Sequence, residues 1–181
     1  FFKKDYQSSV TLKSFSNEMM TILDQNELTY KIVENLSAAM ELKRISLFVQ
    51  DEKGDYVLAA DCPERLGRGT EHEKKIIRAE NDRAFFSWLE QQERVIELEE
   101  IEYESQYEAI RPIARRYFSD VQAKICLPLA HQRKLIGIIN LGEKADQKPF
   151  THLDIEFLSS FRGQAISALY NALVHHGVQQ M

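Results

Sequence analysis

Hydrophobic residues follow two periods along this chain, and the changes between them predict the order of helices and strands. In the first forty residues, apolar positions recur every three or four residues, which is the period of one face of an α-helix. We expect a helix over residues 6–24 and a second from Asn26, as N-cap, to Met40. The apolar stripe of the first helix consists of Leu12, Phe15, Met19 and Ile22.

Runs of β-branched and aromatic residues then predict strands, which come in two pairs. Ile45–Gln50 and Tyr56–Ala60 flank a turn at Gly54, and this arrangement predicts a first hairpin. Val121–Leu129 and Lys134–Leu141 have a short connection, which predicts a second. Short connections favour antiparallel pairing.

Between the hairpins lies a less regular segment, residues 61–120, which we call the insertion. We expect short helices over 71–78 and 82–92, a strand over 94–98 and a helix over 109–117. A long helix from His152 to His176 ends the chain, and Thr151 and Asp154 have the spacing of a capping box. The order predicts an α+β fold with a central antiparallel sheet of about five to six strands and helices on its faces.

Composition and charge narrow the class of protein. The chain has 181 residues, 44% hydrophobic and 28% charged, which is typical of a globular domain. The net charge of −5 gives no overall electrostatic attraction to nucleic acid, so we expect no nucleic-acid partner. Two cysteines, Cys62 and Cys126, cannot form a disulfide framework, which favours a reducing, cytoplasmic location. The opening Phe1–Lys4 is typical either of a frayed helix start or of the cytoplasmic edge of a membrane anchor, so anchoring in an inner membrane stays open.

No set of residues meets the requirements of a catalytic or metal site. The five histidines lack the spacing that presents two ligands on one helical face. A nucleophile motif and a phosphate-binding glycine loop are also missing from the sequence. We therefore predict no catalytic residue, no metal ligand and no required cofactor.

The C-terminal half resembles a known family. Ile125–Leu129, Lys134–Leu141, Pro149–Leu158 and Gln164–Ala172 together resemble the closing half of a GAF domain, and the first hairpin fits the same family. The resemblance implies that the terminal helices pack on one face of the sheet. It implies a small-molecule pocket on the other face, under the insertion. It also implies a regulatory module of a bacterial signalling protein of the sensor histidine kinase or diguanylate cyclase type.

Some features of specialised GAF members are absent. Cyclic-nucleotide-binding members carry an Asn-Lys pair and a Phe-x-x-x-Asp-Glu motif. Here Asn140 lacks the adjacent lysine, which comes at Lys144, and Phe150 and Asp154 are present without the final glutamate. The Asp-Ile-Pro motif of bilin-binding members is missing too. These departures argue against both ligand classes.

The resemblance divides the chain into three parts and leaves three functions open. We expect a signalling or coiled-coil helix over 1–24, a GAF domain over 25–176 and the start of a linker to an output domain over 177–181. The leading hypothesis is a sensory module that binds a small molecule, dimerises, or both, to control a downstream catalytic domain. The alternatives are a ligand-free dimerising spacer and a small thiol-dependent redox enzyme.

The terminal helices are the expected dimer interface. The last helix carries more apolar surface than one sheet face needs, in a second stripe of Ile166, Leu169 and Leu173. The stripe of the first helix has the spacing of a coiled-coil seam. We therefore predict a homodimer through these helices.

The pocket implied by the resemblance takes aromatic and polar residues from the insertion and two residues from the strands. Arg111 and Arg115 share a helical face, and we expect Arg111 first and Arg115 second to contact an anionic ligand. The alternative is that the arginines pair with the preceding glutamates and the aromatic residues pack a second core. The candidate ligand-binding residues are Phe48, Trp88, Tyr103, Tyr107, Arg111, Arg115, Tyr117 and Cys126.

Overall fold

Two hairpins lie side by side at the centre of the sheet in the computed structural model, which describes residues 13–63 and 75–180. The strands are β1 Ile45–Gln50, β2 Tyr56–Cys62, β3 Ile76–Ile77, β4 Ile96–Glu97, β5 Ile125–His131 and β6 Lys134–Leu141. All pairings in this six-stranded sheet are antiparallel, and the strand order is β3-β2-β1-β6-β5-β4. The fold class expected from the sequence is therefore confirmed.

The helices form two layers, one on each face of the sheet. The described helices are α1 13–21, α2 Gln25–Met40, α3 Arg83–Glu90, α4 Leu98–Tyr103, α5 Arg111–Asp120 and α6 His152–Gln180, with short 3-10 helices at Ala79–Asp82 and Ser105–Tyr107. The terminal helices α1, α2 and α6 cover one face, and α3, α4 and α5 of the insertion cover the other. Of these described helices, none combines the length and the apolar character needed to cross a membrane.

Each face of the sheet closes a separate hydrophobic core. Successive side chains of a strand point to opposite faces, so β1 sends Leu47 to one core and Phe48 to the other. Burial on both faces explains why β1, β5 and β6 are almost continuously apolar. The helical core includes Phe15, Met19, Ile32, Leu36, Leu47, Leu127, Ile139, Leu158, Phe161 and Leu169. The insertion core includes Phe48, Tyr56, Phe85, Phe86, Tyr107, Tyr117, Phe118, Cys126 and Ile138.

The helix boundaries correct several predictions near the N-terminus. Residues 1–12, including Leu12, lie outside the described residues, and the described part of α1 ends at 21 instead of 24. The N-cap of α2 is Asp24, not Asn26, because the Asp24 carboxylate accepts a 2.9 Å hydrogen bond from the Glu27 amide.

The apolar stripe of α1 packs inside its own chain. Phe15 and Met19 are buried, and the Phe15 ring stacks on Phe161 of α6 at a centroid distance of 5.0 Å. These two residues therefore do not form an exposed seam for a partner helix. The homodimer itself stays a prediction.

The insertion differs most from its prediction. Residues 76–77 form β3 instead of the end of a helix, while 64–74 lie outside the described residues. The predicted strand over 94–98 is only Ile96–Glu97, because Leu98 begins the unpredicted helix α4. This segment is rich in glutamates, so it lacks the helical period of apolar residues from which the helix could have been predicted.

The second hairpin also shifts. Its first strand begins at Ile125 instead of Val121, since α5 continues to Asp120 and Gln122 then turns the chain at a positive φ of 54°. The capping box of α6 is confirmed: the Asp154 amide donates to the Thr151 hydroxyl at 3.1 Å, and the Thr151 amide donates to the Asp154 carboxylate at 2.8 Å.

Candidate functional site

A row of polar side chains crosses the sheet on the face that the insertion covers. Ser46 of β1 pairs with Asn140 of β6, and Asn140 pairs in turn with Cys126 of β5. Above the row, the Tyr117 hydroxyl of α5 donates a 2.8 Å hydrogen bond to Asn140 Oδ1, and Asn140 Nδ2 donates to Ser46 Oγ at 3.4 Å. Asn140 is 1% exposed, so its two bonds replace those it loses to water.

Burial raises the pKa of both titratable members of this region. Desolvation raises the pKa of the Tyr117 hydroxyl well above its usual range, and it raises the pKa of the Cys126 thiol in the same way. A thiol held neutral and fully buried is a poor nucleophile. This arrangement argues against a redox enzyme that uses Cys126 as its reactive thiol.

An aromatic cluster fills much of the space above the polar row. Phe85 of α3 packs on the Tyr117 ring at a centroid distance of 4.6 Å, and Phe86 stacks on Tyr56 of β2 at 4.7 Å. Trp88 is half-buried at the edge of the cluster, edge-on to Tyr107 at 6.0 Å. In this described part of the insertion face, the protein's own rings therefore pack against one another above the polar row.

The candidate residues named from sequence are only partly brought together. Four of them, Phe48, Tyr107, Tyr117 and Cys126, are buried in the insertion core. Tyr103 lies outside it, with 83% of its surface exposed on α4. Whether any of them contacts a ligand stays a prediction.

The two arginines have different roles. Arg111 donates from Nε to the carbonyl of Ile101 at 2.8 Å and from Nη2 to the carbonyl of Glu104 at 2.9 Å. Its guanidinium therefore supports the C-terminal end of α4, where carbonyls lack helical partners. The Arg115 guanidinium donates hydrogen bonds of 2.6 to 2.9 Å to both carboxylate oxygens of Glu102. These bonds hold the pKa of that carboxyl below its usual range.

A groove of about 680 Å³ lies where α4 and α5 meet one end of the sheet, and we call it the rim groove. This volume is within the range of small-molecule sites. Because the sheet is antiparallel, β1 and β5 begin at the same end of the sheet at which β6 ends. Residues that are distant in sequence therefore meet there. The charged residues lining the groove are Lys43, Arg44, Glu102, Arg115, Lys124 and Glu143.

The sequence-based prediction included only Arg115 of this set. Lys43 and Arg44 come just before a predicted strand, Glu143 comes just after one, and Glu102 lies in a polar stretch, whereas Lys124 lies inside the strand predicted over Val121–Leu129. Only the strand pairing shows that β1 and β5 begin where β6 ends, which brings these residues to one end of the sheet.

The Lys144 and Asp154 side chains of the partial nucleotide motif have a structural role. They form a buried ion pair that joins the segment after β6 to the first turn of α6. Burial alone raises the pKa of the Asp154 carboxyl, but hydrogen bonds from Lys144 and Thr151 outweigh it and leave that pKa below its usual range. The Lys144 ammonium also lies 5.5 Å from the centre of the Phe150 ring.

Comparison with known proteins identifies the family. The family model described as GAF domain matches residues 24–169, which is most of the chain. The chain belongs to the GAF domain family. GAF domains are sensory and regulatory modules instead of catalytic ones, and the expected resemblance is thereby confirmed. No curated protein matches the chain by sequence.

Several solved structures share the fold at low sequence identity. The GAF domain of an Acinetobacter phosphoenolpyruvate-protein phosphotransferase is 16% identical, with 93% of this chain and 95% of that chain covered and a TM-score of 0.62. Residues 122 to 287 of a methyl-accepting chemotaxis protein are 14% identical, with 88% of this chain and 97% of that chain covered and a TM-score of 0.62. The photosensory core module of the Stigmatella aurantiaca phytochrome is 12% identical, with 97% of this chain and 38% of that chain covered and a TM-score of 0.68. At these identities the comparison shows a shared fold.

Among the residues that the structure describes, no group of three or more His, Cys, Asp or Glu side chains could hold a metal ion.

Proposed function

We propose that this GAF domain is the sensory input module of a signalling protein, and that a small molecule bound in the rim groove controls a catalytic domain of the same polypeptide. The rim groove carries this proposal, because its walls come from both the insertion and the sheet edge. A ligand there contacts α4, α5 and the strand ends together, and it favours whichever arrangement of these elements binds it better.

A short covalent path leads from the rim groove to α6. Glu143 lines the groove, and the next residue, Lys144, forms the buried ion pair with Asp154 in the first turn of α6. α6 is 29 residues long and packs on α2 and β5. A shift of the strand end is therefore passed to a long rigid helix, which is the element that carries the signal toward the output domain.

A thermal-shift screen of nucleotides, small carboxylates and haem tests the sensory role. A compound present at a hundred times its Kd stabilises the folded domain by about 2.7 kcal/mol, a shift of several degrees for a domain of this size. We expect one class to produce this shift and to change hydrogen exchange in the first turns of α6. In Lys144→Met the compound still binds, but the change in α6 is lost. A screen without any stabilising compound contradicts the proposal.

A dimerising spacer is the second candidate, and two observations favour it. Aromatic rings pack against one another in the described part of the insertion face, and large apolar side chains are exposed on the helical layer. We propose a homodimer through this layer. The exposed residues are Met20, Leu23, Tyr30, Leu153, Tyr170 and Val174.

Light scattering tests the dimer. The wild type should have twice the monomer mass at high micromolar concentration, and Val174→Glu on α6 should shift the equilibrium toward monomer. Tyr103→Glu, which also replaces an exposed apolar residue but on the insertion, is the control. A monomeric wild type contradicts dimerisation through the helices.

The output domain is proposed to be a histidine kinase or a diguanylate cyclase, acting in the cytoplasm with or without a membrane anchor. The same fold occurs in a methyl-accepting chemotaxis protein and in the photosensory core module of a phytochrome, which supports a signalling role. Reading the gene on both sides of this segment tests the output type and the anchor together.

A further inference from the structure

We propose that the rim groove binds a small molecule through a phosphate group. This inference rests on the sensory function proposed above and names the chemical class of its ligand. The chain as a whole is acidic, with a net charge of −5, yet the groove is basic. Its lining holds four cationic side chains and two carboxylates. A local excess of two positive charges on an acidic protein attracts a dianion to this groove.

Both carboxylates of the groove already have cationic partners. Glu102 is held by Arg115 through two nitrogens, and Glu143 lies 3.8 Å from the Lys43 ammonium. Neither carboxylate therefore presents an uncompensated negative charge to a ligand. The Lys124 side chain is exposed, and its ammonium takes part in no ion pair within residues 13–63 and 75–180.

Main-chain hydrogen bonds hold the cationic residues in place. The Lys43 amide donates to the Glu143 carbonyl at 2.8 Å, and the Gly142 amide donates to the Arg44 carbonyl at 2.8 Å. On the other side, the Lys124 amide donates to the Leu141 carbonyl at 2.7 Å. The groove is thus preorganised, and a ligand does not have to order its backbone on binding.

A phosphate fits this arrangement better than a single carboxylate. A phosphomonoester carries close to two negative charges at pH 7 and three acceptor oxygens, which matches the excess of two cations. Arg44 precedes β1 and Lys124 precedes β5, and both line the groove. The Arg44 guanidinium donates to Gln122 Oε1 and has further donors, so it and the Lys124 ammonium can contact different oxygens of one phosphate. Leu98 and Ala123 form an apolar part of the wall for the organic portion of the ligand.

Isothermal titration with inorganic pyrophosphate tests the proposal, with sodium chloride at equal ionic strength as the blank. We expect binding to the wild type and about fivefold weaker binding to Lys124→Gln, because an exposed charge contact contributes about this much. Lys134→Gln is the matched control, since Lys134 is an exposed lysine at the opposite end of β6, about 25 Å away. It should leave the Kd unchanged.

Glu102→Gln gives the opposite prediction. Removing this carboxylate raises the net charge of the groove by one and weakens the hold on the Arg115 guanidinium. Pyrophosphate should therefore bind about threefold to tenfold more tightly than to the wild type. A variant that gains affinity cannot be explained by damage to the fold.

The outcomes separate this inference from the sensory function. No binding of pyrophosphate to the wild type, or equal Kd values for the wild type, Lys124→Gln and Glu102→Gln, overturns the phosphate site. If an uncharged compound then stabilises the domain in the thermal-shift screen, the sensory function survives without the phosphate site. If no compound of any class stabilises it, both are wrong.

Discussion

The two faces of the sheet are built from the same strands, but they differ in the residues they present. Toward the terminal helices, the buried core side chains of β1 and β5 are aliphatic, such as Leu47 and Leu127. Toward the insertion, the same strands present Ser46 and Cys126, and β6 adds Asn140. A buried polar group has to be paired and contributes less to stability than an aliphatic one. The helical face is therefore specialised for stability, whereas the insertion face keeps polar groups beside a basic groove.

The largest effect is expected on the helical face. Leu47 is fully buried, and Leu47→Ala removes its apolar contacts and leaves a cavity. The free energy of unfolding should fall by about 2–5 kcal/mol, measured by urea denaturation. Leu153→Ala, at a leucine of α6 that is 40% exposed, should cost much less. Equal losses in the two variants would contradict the assignment of the main stabilising core.

The ion pair between β6 and α6 comes next. Lys144→Met leaves the buried Asp154 carboxylate without its cation and should cost about 2–3 kcal/mol at pH 7. The pKa of Asp154 is lower in the folded chain than its ordinary value of 3.8. The pair therefore stabilises the fold above about pH 4, and this contribution is lost as the pH falls through the folded pKa. The urea midpoint of the wild type should drop more steeply below pH 4 than that of Lys144→Met, and parallel curves would show that the pair is not the cause.

The polar row gives a smaller effect that tests the insertion face directly. Asn140→Ala leaves the Tyr117 hydroxyl and Ser46 without their partner and should cost about 1–3 kcal/mol. In Asn140→Ala with Tyr117→Phe, the combined loss should be smaller than the sum of the single losses, because both variants remove the same bond. Additive losses in the double-mutant cycle would mean that this hydrogen bond is not formed in solution.

The smallest effect separates the two arginines. Arg111→Ala removes two bonds to carbonyls at the end of α4 and should cost about 1 kcal/mol. It should leave pyrophosphate affinity unchanged, because Arg111 does not line the rim groove. A large loss of affinity in this variant would restore Arg111 as the anion contact expected from the sequence.

Period and spacing were enough to predict the sheet, the hairpins and the capping box, because those features depend on local patterns. The same patterns could not assign Phe48 and Cys126 to a face, since a strand buried on both sides has no polar side to mark its orientation. Arg111 and Arg115 were correctly placed on one helix, but their partners on α4 depend on a helix that the glutamate-rich sequence concealed. The rim groove required the strand pairing itself.

A ¹H–¹⁵N correlation spectrum, titrated with the compound that stabilises the domain most, tests the central claim that the insertion side senses and α6 transmits. We predict the largest shifts at the amides of Arg44, Lys124 and Gly142, around the rim groove, followed by those of the first turn of α6. Shifts confined to the exposed apolar residues of the helical layer, with the groove amides unmoved, would contradict the claim.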